Sequence, residues 1–287
     1  MNQGQLLERV YREIHDDIVD GLATGGSATT IVDSTLASKY TENKFKNWIA
    51  FISTTTDELT PQSKYATISA YVNSTGTATI ATLTDAVGAG DTYSFAKGTI
   101  PLLTMGKLVN DALGMLGRIT YLDTSLTTAA TTLNYTLPIA TKGVRPNKVY
   151  LRKTDYTEYD VPNYQILPAA GGSTETLLFD TQPPYPYTIV IEYNIIHPAL
   201  TLYSSTVSET IHDALVVAAC VERVYHWKMT PKMRKLDVQN WQLAKQSLAE
   251  AKAMYPIQRP VIFNQRPPIN LFNGTGTQRT KWWTTNT

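Results

Sequence analysis

The chain has 287 residues, with 25 Lys+Arg against 24 Asp+Glu, and only 17% of its residues are charged, against about 25% in an average soluble domain. It contains no run of about 18 apolar residues, so no transmembrane helix is expected. Met1 to Val19 is polar and mixed in charge, unlike a secretory signal, and the single cysteine, Cys220, excludes a disulfide framework or a Cys-rich zinc site.

The missing charge is replaced by neutral polar residues, 42 Thr and 17 Tyr, types that suit a pleated, half-buried surface. At the start, Leu7, Val10, Tyr11, Ile14 and Ile18 fall on one helical face, with Gly21 as a stop and Gly25-Gly26-Ser27 opening a loop. The period then changes to two. Trp48, Ala50 and Ile52 alternate, as do Tyr65 to Tyr71 and then Ala78 and Ile80, with Asn73-Ser74-Thr75-Gly76 as a hairpin turn between the last two runs. Tyr93 and Phe95 read as another short strand.

Helical spacing returns at Met105, Leu108, Val109, Ala112 and Leu116, and Gly114 and Gly117 weaken the end of that segment. Residues 149–151, 164–167, 176–179 and 188–193 are the clearest strands of a second β unit, separated by Pro138, Gly171-Gly172 and Gln182-Pro183-Pro184. Thr206-Val207-Ser208-Glu209 has capping-box spacing, and behind it Ile211, Leu215, Ala218, Glu222 and Tyr225 share a face. Ala214, Ala218 and Ala219 suit tight helix packing. Thr230-Pro231 fits an N-cap before a last helix striped with Trp241, Ala244, Leu248, Ala251 and Tyr255.

The expected fold class is therefore α+β: a helical bundle of about four helices, with two inserted all-β units and an extended C-terminal arm. Residues 1–24, 101–118 and 206–255 form the bundle, 25–100 the first β unit, and 119–205 a sandwich-like second one. Residues 256–287 form the arm. Pro256, Pro260, Pro267 and Pro268 exclude a regular helix there. Yet the arm carries Val261, Ile262, Phe263, Ile269, Leu271, Phe272, Trp282 and Trp283, more large apolar groups than a solvated tail holds. Its expected role is to become ordered on a neighbour.

Charge is distributed unevenly. Residues 222–287 hold 11 Lys+Arg and 3 Asp+Glu, a local +8, which leaves −7 for residues 1–221. Lys228, Lys232, Arg234 and Lys235 cluster at a helix junction near Trp227 and Trp241, suited either to DNA phosphates or to an acidic face of an adjacent copy. No DNA-reading motif accompanies them.

Catalytic patterns are weak. His15, His197, His212 and His226 lack any metal-binding spacing, and His212 and His226 would lie about 21 Å apart along one helix. Cys220 sits among Val and Ala without a basic neighbour, as a core thiol does. Gly106-Lys107 lacks the rest of a P-loop, and the acidic pairs Asp16-Asp17 and Asp155/Glu158 have no evident pocket. No enzymatic activity, metal or cofactor is expected.

The order helix, β unit, helix, β unit, two helices, arm resembles the head–tail connector (neck adaptor) proteins of tailed bacteriophages. The residues carrying the likeness are the strand Ile189-Val190-Ile191-Glu192-Tyr193, His197-Pro198-Ala199-Leu200 and the helix Ala214-Leu215-Val216-Val217-Ala218-Ala219-Cys220. Residues 25–33, Trp48 and Ala89-Gly90-Asp91-Thr92-Tyr93 extend it. The resemblance implies a virion protein assembled in the host bacterial cytoplasm: a ring of ~12 copies docked on the portal through the C-terminal arm. Such a ring meets the tail or the next neck protein, encloses a DNA path and needs no membrane. A competing expectation from the Thr/Tyr-rich β units is a fibre, baseplate or other carbohydrate-binding adhesion module.

Overall fold

The computed structural model describes residues 1–14, 17–56, 62–138, 146–153, 158–159, 163–167, 175–229 and 235–257, with backbone only at 158–159 and 235–236. Helix α1 (Gln3–Glu13) opens on a capping box. The Asn2 side chain accepts from the Gln5 N–H at 2.9 Å, and the Gln5 side chain accepts from the Asn2 N–H at 3.1 Å. Leu6, Leu7, Val10 and Tyr11 are buried on its inner face. Ile18, placed by its spacing on the helical stripe, is instead the first residue of β1 (Ile18–Leu22), where it pairs with Ala96.

The first sheet has seven strands: β1, β2 (Gly25–Ser27), β3 (Thr30–Val32), β4 (Ile49–Thr54), β5 (Tyr65–Val72), β6 (Thr77–Ile80) and β7 (Thr92–Ala96). Its order is β1-β7-β4-β5-β6-β3-β2, with every pair antiparallel. The Asn73–Gly76 turn joins β5 to β6, with Gly76 at φ +64°. Gly25 and Gly26, expected in a loop, form an edge strand. A Cβ on Gly26 would lie 2.5 Å from the Thr30 carbonyl, so glycine there marks close backbone approach.

The two ends of this order, β1 and β2, are separated in sequence only by Ala23 and Thr24. Three Cα steps span at most about 11 Å. The sheet must therefore curl until its edges nearly meet, giving a barrel-like roll. At the link, Ala23 N–H donates to the Asp91 carbonyl and Gly90 N–H to the Ala23 carbonyl, both at 2.8 Å, which extends the β1–β7 ladder, while Thr24 N–H donates to the Val32 carbonyl at 2.7 Å and extends the β2–β3 ladder. Beside it the Tyr93 hydroxyl donates to Asp33 Oδ2 at 2.7 Å, with both residues 1% exposed. A Cβ on Gly21 would stand 2.2 Å from that hydroxyl, so any larger residue there must displace the Tyr93–Asp33 pair. Inside the roll, the Phe45 ring lies 4.8 Å from those of Tyr40 and Tyr71, 5.1 Å from Trp48 and 5.2 Å from Phe95.

Strand β4 is buried on both faces. Ala50 and Ile52 point into the roll, while Ile49 and Phe51 join the helical core outside it. That core receives α1 and α2 (Leu102–Met115), whose Met105, Leu108, Val109, Ala112 and Leu113 are buried. The Tyr11 hydroxyl donates to the Ile100 carbonyl at 2.7 Å and ties α1 to the start of α2.

The second β region contains β8 (Arg118–Thr127), β9 (Asn134–Thr136), β10 (Lys148–Arg152), β11 (Glu158–Tyr159), β12 (Tyr164–Leu167), β13 (Thr176–Phe179) and β14 (Thr188–Ile196). They form a four-stranded sheet, β11-β10-β14-β8, and a three-stranded one, β12-β13-β9. Tyr135, Leu177 and Phe179 from one sheet and Val149, Leu151, Ile189 and Ile191 from the other share a single core. The region enters and leaves through paired strands, with Arg118 opposite Ile196. The first sheet does likewise, with Ile18 opposite Ala96.

Helices α3 (Asp213–Met229) and α4 (Lys235–Met254) end the described chain. The capping box expected at Thr206 does not form. Thr206 bridges to Asn2, Val207 N–H donates to the Met1 carbonyl at 2.9 Å, and the helix begins seven residues later at Asp213. Tertiary pairing to the N-terminus has taken the residues that would have capped. Thr230-Pro231, expected to cap the last helix, lies outside the described residues.

The expected helical bundle is not what the chain builds. The described residues form a mixed, β-rich architecture of four α-helices and three antiparallel sheets. An amphipathic stripe suits a sheet face as well as another helix. In fact the helical core also holds Ile49, Phe51 and Ala96 from the seven-stranded sheet and Ile119 from β8. Sheet faces supply much of the apolar surface that a bundle would have drawn from further helices.

Candidate functional site

A groove of about 920 Å³ lies among α1, residues 207–214, α3 and α4. Its floor is the α3 row Ala214, Val217, Ala218 and Val221, spaced at i, i+3, i+4 and i+7. Helix α3 is apolar around much of its circumference. Leu215, Val216, Ala219, Cys220 and Val224 are its buried side, which leaves the 214–221 row half open. Ala218, expected on the core face beside Leu215, lines this groove instead. One wall is α1, through Arg9, Arg12 and Glu13; the other is α4, through Ala244 and Ser247.

The charges on the rim are partly paired. Arg9 and the N-terminal ammonium approach Asp213 at 3.7 and 3.9 Å. Arg12 binds Glu8 at 3.0 Å, Asp20, and Ser94 Oγ at 2.7 Å. The hydrogen bond from Arg12 holds the Asp20 carboxyl below its usual range, and the same contacts raise the Arg12 guanidinium. Ser53 and Ser94 also donate to Glu8, at 3.0 and 2.8 Å, so this network anchors α1 to β4 and β7. Glu13 and Glu209 make no ion pair among the described residues.

The groove ends at His212, whose ring stacks on Tyr255 with centroids 3.7 Å apart and planes within 4°. His212 Nδ1 also accepts from the Ala214 N–H at 3.2 Å, which caps α3. Two residues beyond Tyr255, Ile257 packs on the helical core and is the last residue described.

Of the basic cluster, only the Lys228 side chain is described. Its ammonium lies over the Tyr225 ring at 5.4 Å from the centroid. Lys235 begins the α4 backbone, while Lys232 and Arg234 lie outside the described residues. The same holds for the arm residues Val261, Ile262, Phe263, Ile269, Leu271, Phe272, Trp282 and Trp283.

The histidines stay apart. His15 is outside the described residues, and the His226 ring lies 5.7 Å from that of Trp241. His197 Nε2 accepts from the Ser208 N–H at 2.9 Å, which places its proton on Nδ1, 2.6 Å from the Pro198 carbonyl. Burial holds this imidazole below its ordinary 6.5, so it is neutral and fixes the turn before α3. Burial also pushes the Cys220 thiol up to about 12. Among the described residues, no group of three or more His, Cys, Asp or Glu is placed to hold a metal, and no helix is long and apolar enough to cross a membrane.

Sequence reasoning passed over the groove because three helices distant in sequence create it. The signal in the sequence is the pair Ala214 and Ala218, small residues that suit an open floor as well as closed helix packing.

No family model and no curated protein matches the chain.

Proposed function

We propose that this chain is a structural virion protein, a ring adaptor in the neck of a tailed bacteriophage that docks on the portal and connects head to tail. In this reading it performs no catalysis. Genomic DNA passes along the ring axis, and the basic residues of the 228–235 junction face either that path or a neighbouring copy. The observation that carries the reading is the apolar content of the sequence after Ile257. Ile257 packs on the helical core and is the last residue described, and the sequence that follows, residues 258–287, carries eight large apolar side chains. Apolar groups supplied on a terminal segment suit anchoring on a partner.

The test is the mass of the assembled protein with and without portal. A ring gives about 382 kDa, twelve times the 31.8 kDa of the chain, and co-migrates with portal. A protein that remains at 31.8 kDa in the presence of portal rings refutes the proposal. The sheet-dominated architecture favours the second reading, an adhesion module, whose exposed aromatics such as Tyr185, 60% exposed, would stack on sugar rings. Retention on a glycan array, without portal binding, would select it.

A further inference from the structure

We infer that the groove among α1, α3 and α4 receives the outer ridge of α2 from a second copy of the chain, in a head-to-tail contact. The inference names a subunit contact for the proposed ring, and it rests on that reading only for closure of the ring.

The ridge is unpartnered within its own subunit. Leu103, Lys107, Asp111 and Met115 stand at i, i+4, i+8 and i+12 on α2, and all four are exposed. Such a row forms one ridge of a helix surface, here about 18 Å long at 1.5 Å per residue. Leu103 and Met115 are 75% and 66% exposed. Ile196, also exposed, lies 4.0 Å from where a Cβ on Gly114 would stand, which widens the apolar end. Large apolar groups left in water together mark an interaction surface. Gly106 stands three residues from Leu103, beside the ridge, and a Cβ there would meet nothing within 4 Å. A glycine inside a helix weakens it relative to alanine, and no contact among the described residues requires this one. Its absent side chain leaves room for another backbone to come close.

The groove has the matching shape. Ala214 with Ala218 and Val217 with Val221 form two i, i+4 rows of small or β-branched residues, and the furrow between such rows accepts the ridge of another helix. No residue of α2 lines the groove, so the ridge must come from another molecule. An apolar projection that fits a pocket elsewhere on the same molecule makes a heterologous contact, which repeats from copy to copy and closes a ring when the rotation allows.

Charge selects the same partner. On the groove rim, Arg9 and Arg12 are already engaged by carboxylates, while Glu13 and Glu209 have no ion pair among the described residues. On the ridge, Asp111 is engaged by Arg223 at 3.1 Å, while Lys107 and the exposed Arg118 just beyond the helix have no ion pair among the described residues. The uncompensated sign is negative at the groove and positive at the ridge, so the two surfaces attract each other and each repels its own kind.

The test is thiol cross-linking of the full chain without portal. Leu103→Cys puts a thiol on the ridge and Ala218→Cys puts one on the floor, while the native Cys220 is buried. A short bismaleimide is expected to join the double variant into a ladder of dimers, trimers and larger species. An equimolar mixture of the two single variants is expected to stop at dimers, and each single variant alone to stay monomeric. Adding Lys107→Glu should lower the linked yield about tenfold, and adding Glu13→Lys with Glu209→Lys to that chain should restore it. A double variant that stays at 31.8 kDa overturns the inference, as does a single variant that links to itself as readily as the mixture links. A ladder from chains that ignore portal rings would sustain this contact and sink the neck reading. Co-migration with portal by a double variant that never links would do the reverse.

Discussion

The seam of the seven-stranded roll can be tested by separating its hydrogen bond from its packing. Tyr93 reaches from β7 to Asp33, just beyond β3, and the 2.7 Å contact joins two residues that are each 1% exposed. Asp33 Oδ1 is held by the Thr35 N–H at 2.8 Å, so Oδ2 depends on the phenol. Tyr93→Phe keeps the ring, which stays 4.4 Å from Phe95, and removes only the donor. A hydrogen bond to a charged group contributes about 1.5–3 kcal/mol, and a carboxylate left short of a donor in a dry site retains its desolvation cost. The expected loss is about 2–4 kcal/mol for Tyr93→Phe. Asp33→Asn retains an acceptor but loses the charge, so about 1–2 kcal/mol is expected. Equilibrium urea unfolding of both single variants and the double variant gives the coupling energy. A value of about 1.5 kcal/mol or more is expected, since the two side chains touch directly. A coupling below about 0.5 kcal/mol would show that the seam is held by backbone pairing and ring packing alone.

Other expectations follow from single contacts. Lys64 is 3% exposed, and its ammonium has no hydrogen-bond partner among the described residues, with Asp85 at 3.8 Å and the Tyr203 ring centroid at 5.0 Å. Lys64→Met should leave thermal stability unchanged or raise it by about 1 kcal/mol; a loss above 2 kcal/mol would mean that the weak pair matters. Tyr11→Phe strands the buried Ile100 carbonyl and should cost about 1–2 kcal/mol by denaturant titration. His197 is depressed below its ordinary 6.5, so its contribution is full above that pH and is lost as pH falls toward its lower folded value. Asp20 is also depressed; its contribution is present above 3.8 and disappears as pH drops through the folded value. A stability–pH curve should therefore fall in two acid steps, and His197→Gln should flatten the upper one.

Much of the strand content was legible because half-buried strands advertise themselves by alternation. Residues 65–72 and 77–80 around the Asn73–Gly76 turn are the plainest case. Closure of the roll was not legible. It depends on Tyr93, Asp33 and Gly21 meeting from three separate segments. Ile18 was misplaced because a spacing of four residues from Ile14 suits a helix, whereas pairing with Ala96 is a long-range fact. Thr206 followed local capping chemistry, which lost to pairing with Asn2. The actual capping box, Asn2 with Gln5, stood at the first residues, where no apolar run precedes it. On α3, apolar residues nearly all round left the choice between Ala218 and the Ala219–Cys220 side undetermined by periodicity.

Both β regions begin and end on strands that lie side by side, Ile18 against Ala96 and Arg118 against Ile196. Each is thus a cassette with its two splice points within one strand spacing, about 5 Å. A cassette mounted this way can grow, shrink or be exchanged while the helices beneath it keep their spacing. Replacing either one by a short turn leaves the α1–α2 or α2–α3 connection geometrically closable. Variation in what the molecule presents outward is thereby uncoupled from the packing of the four helices.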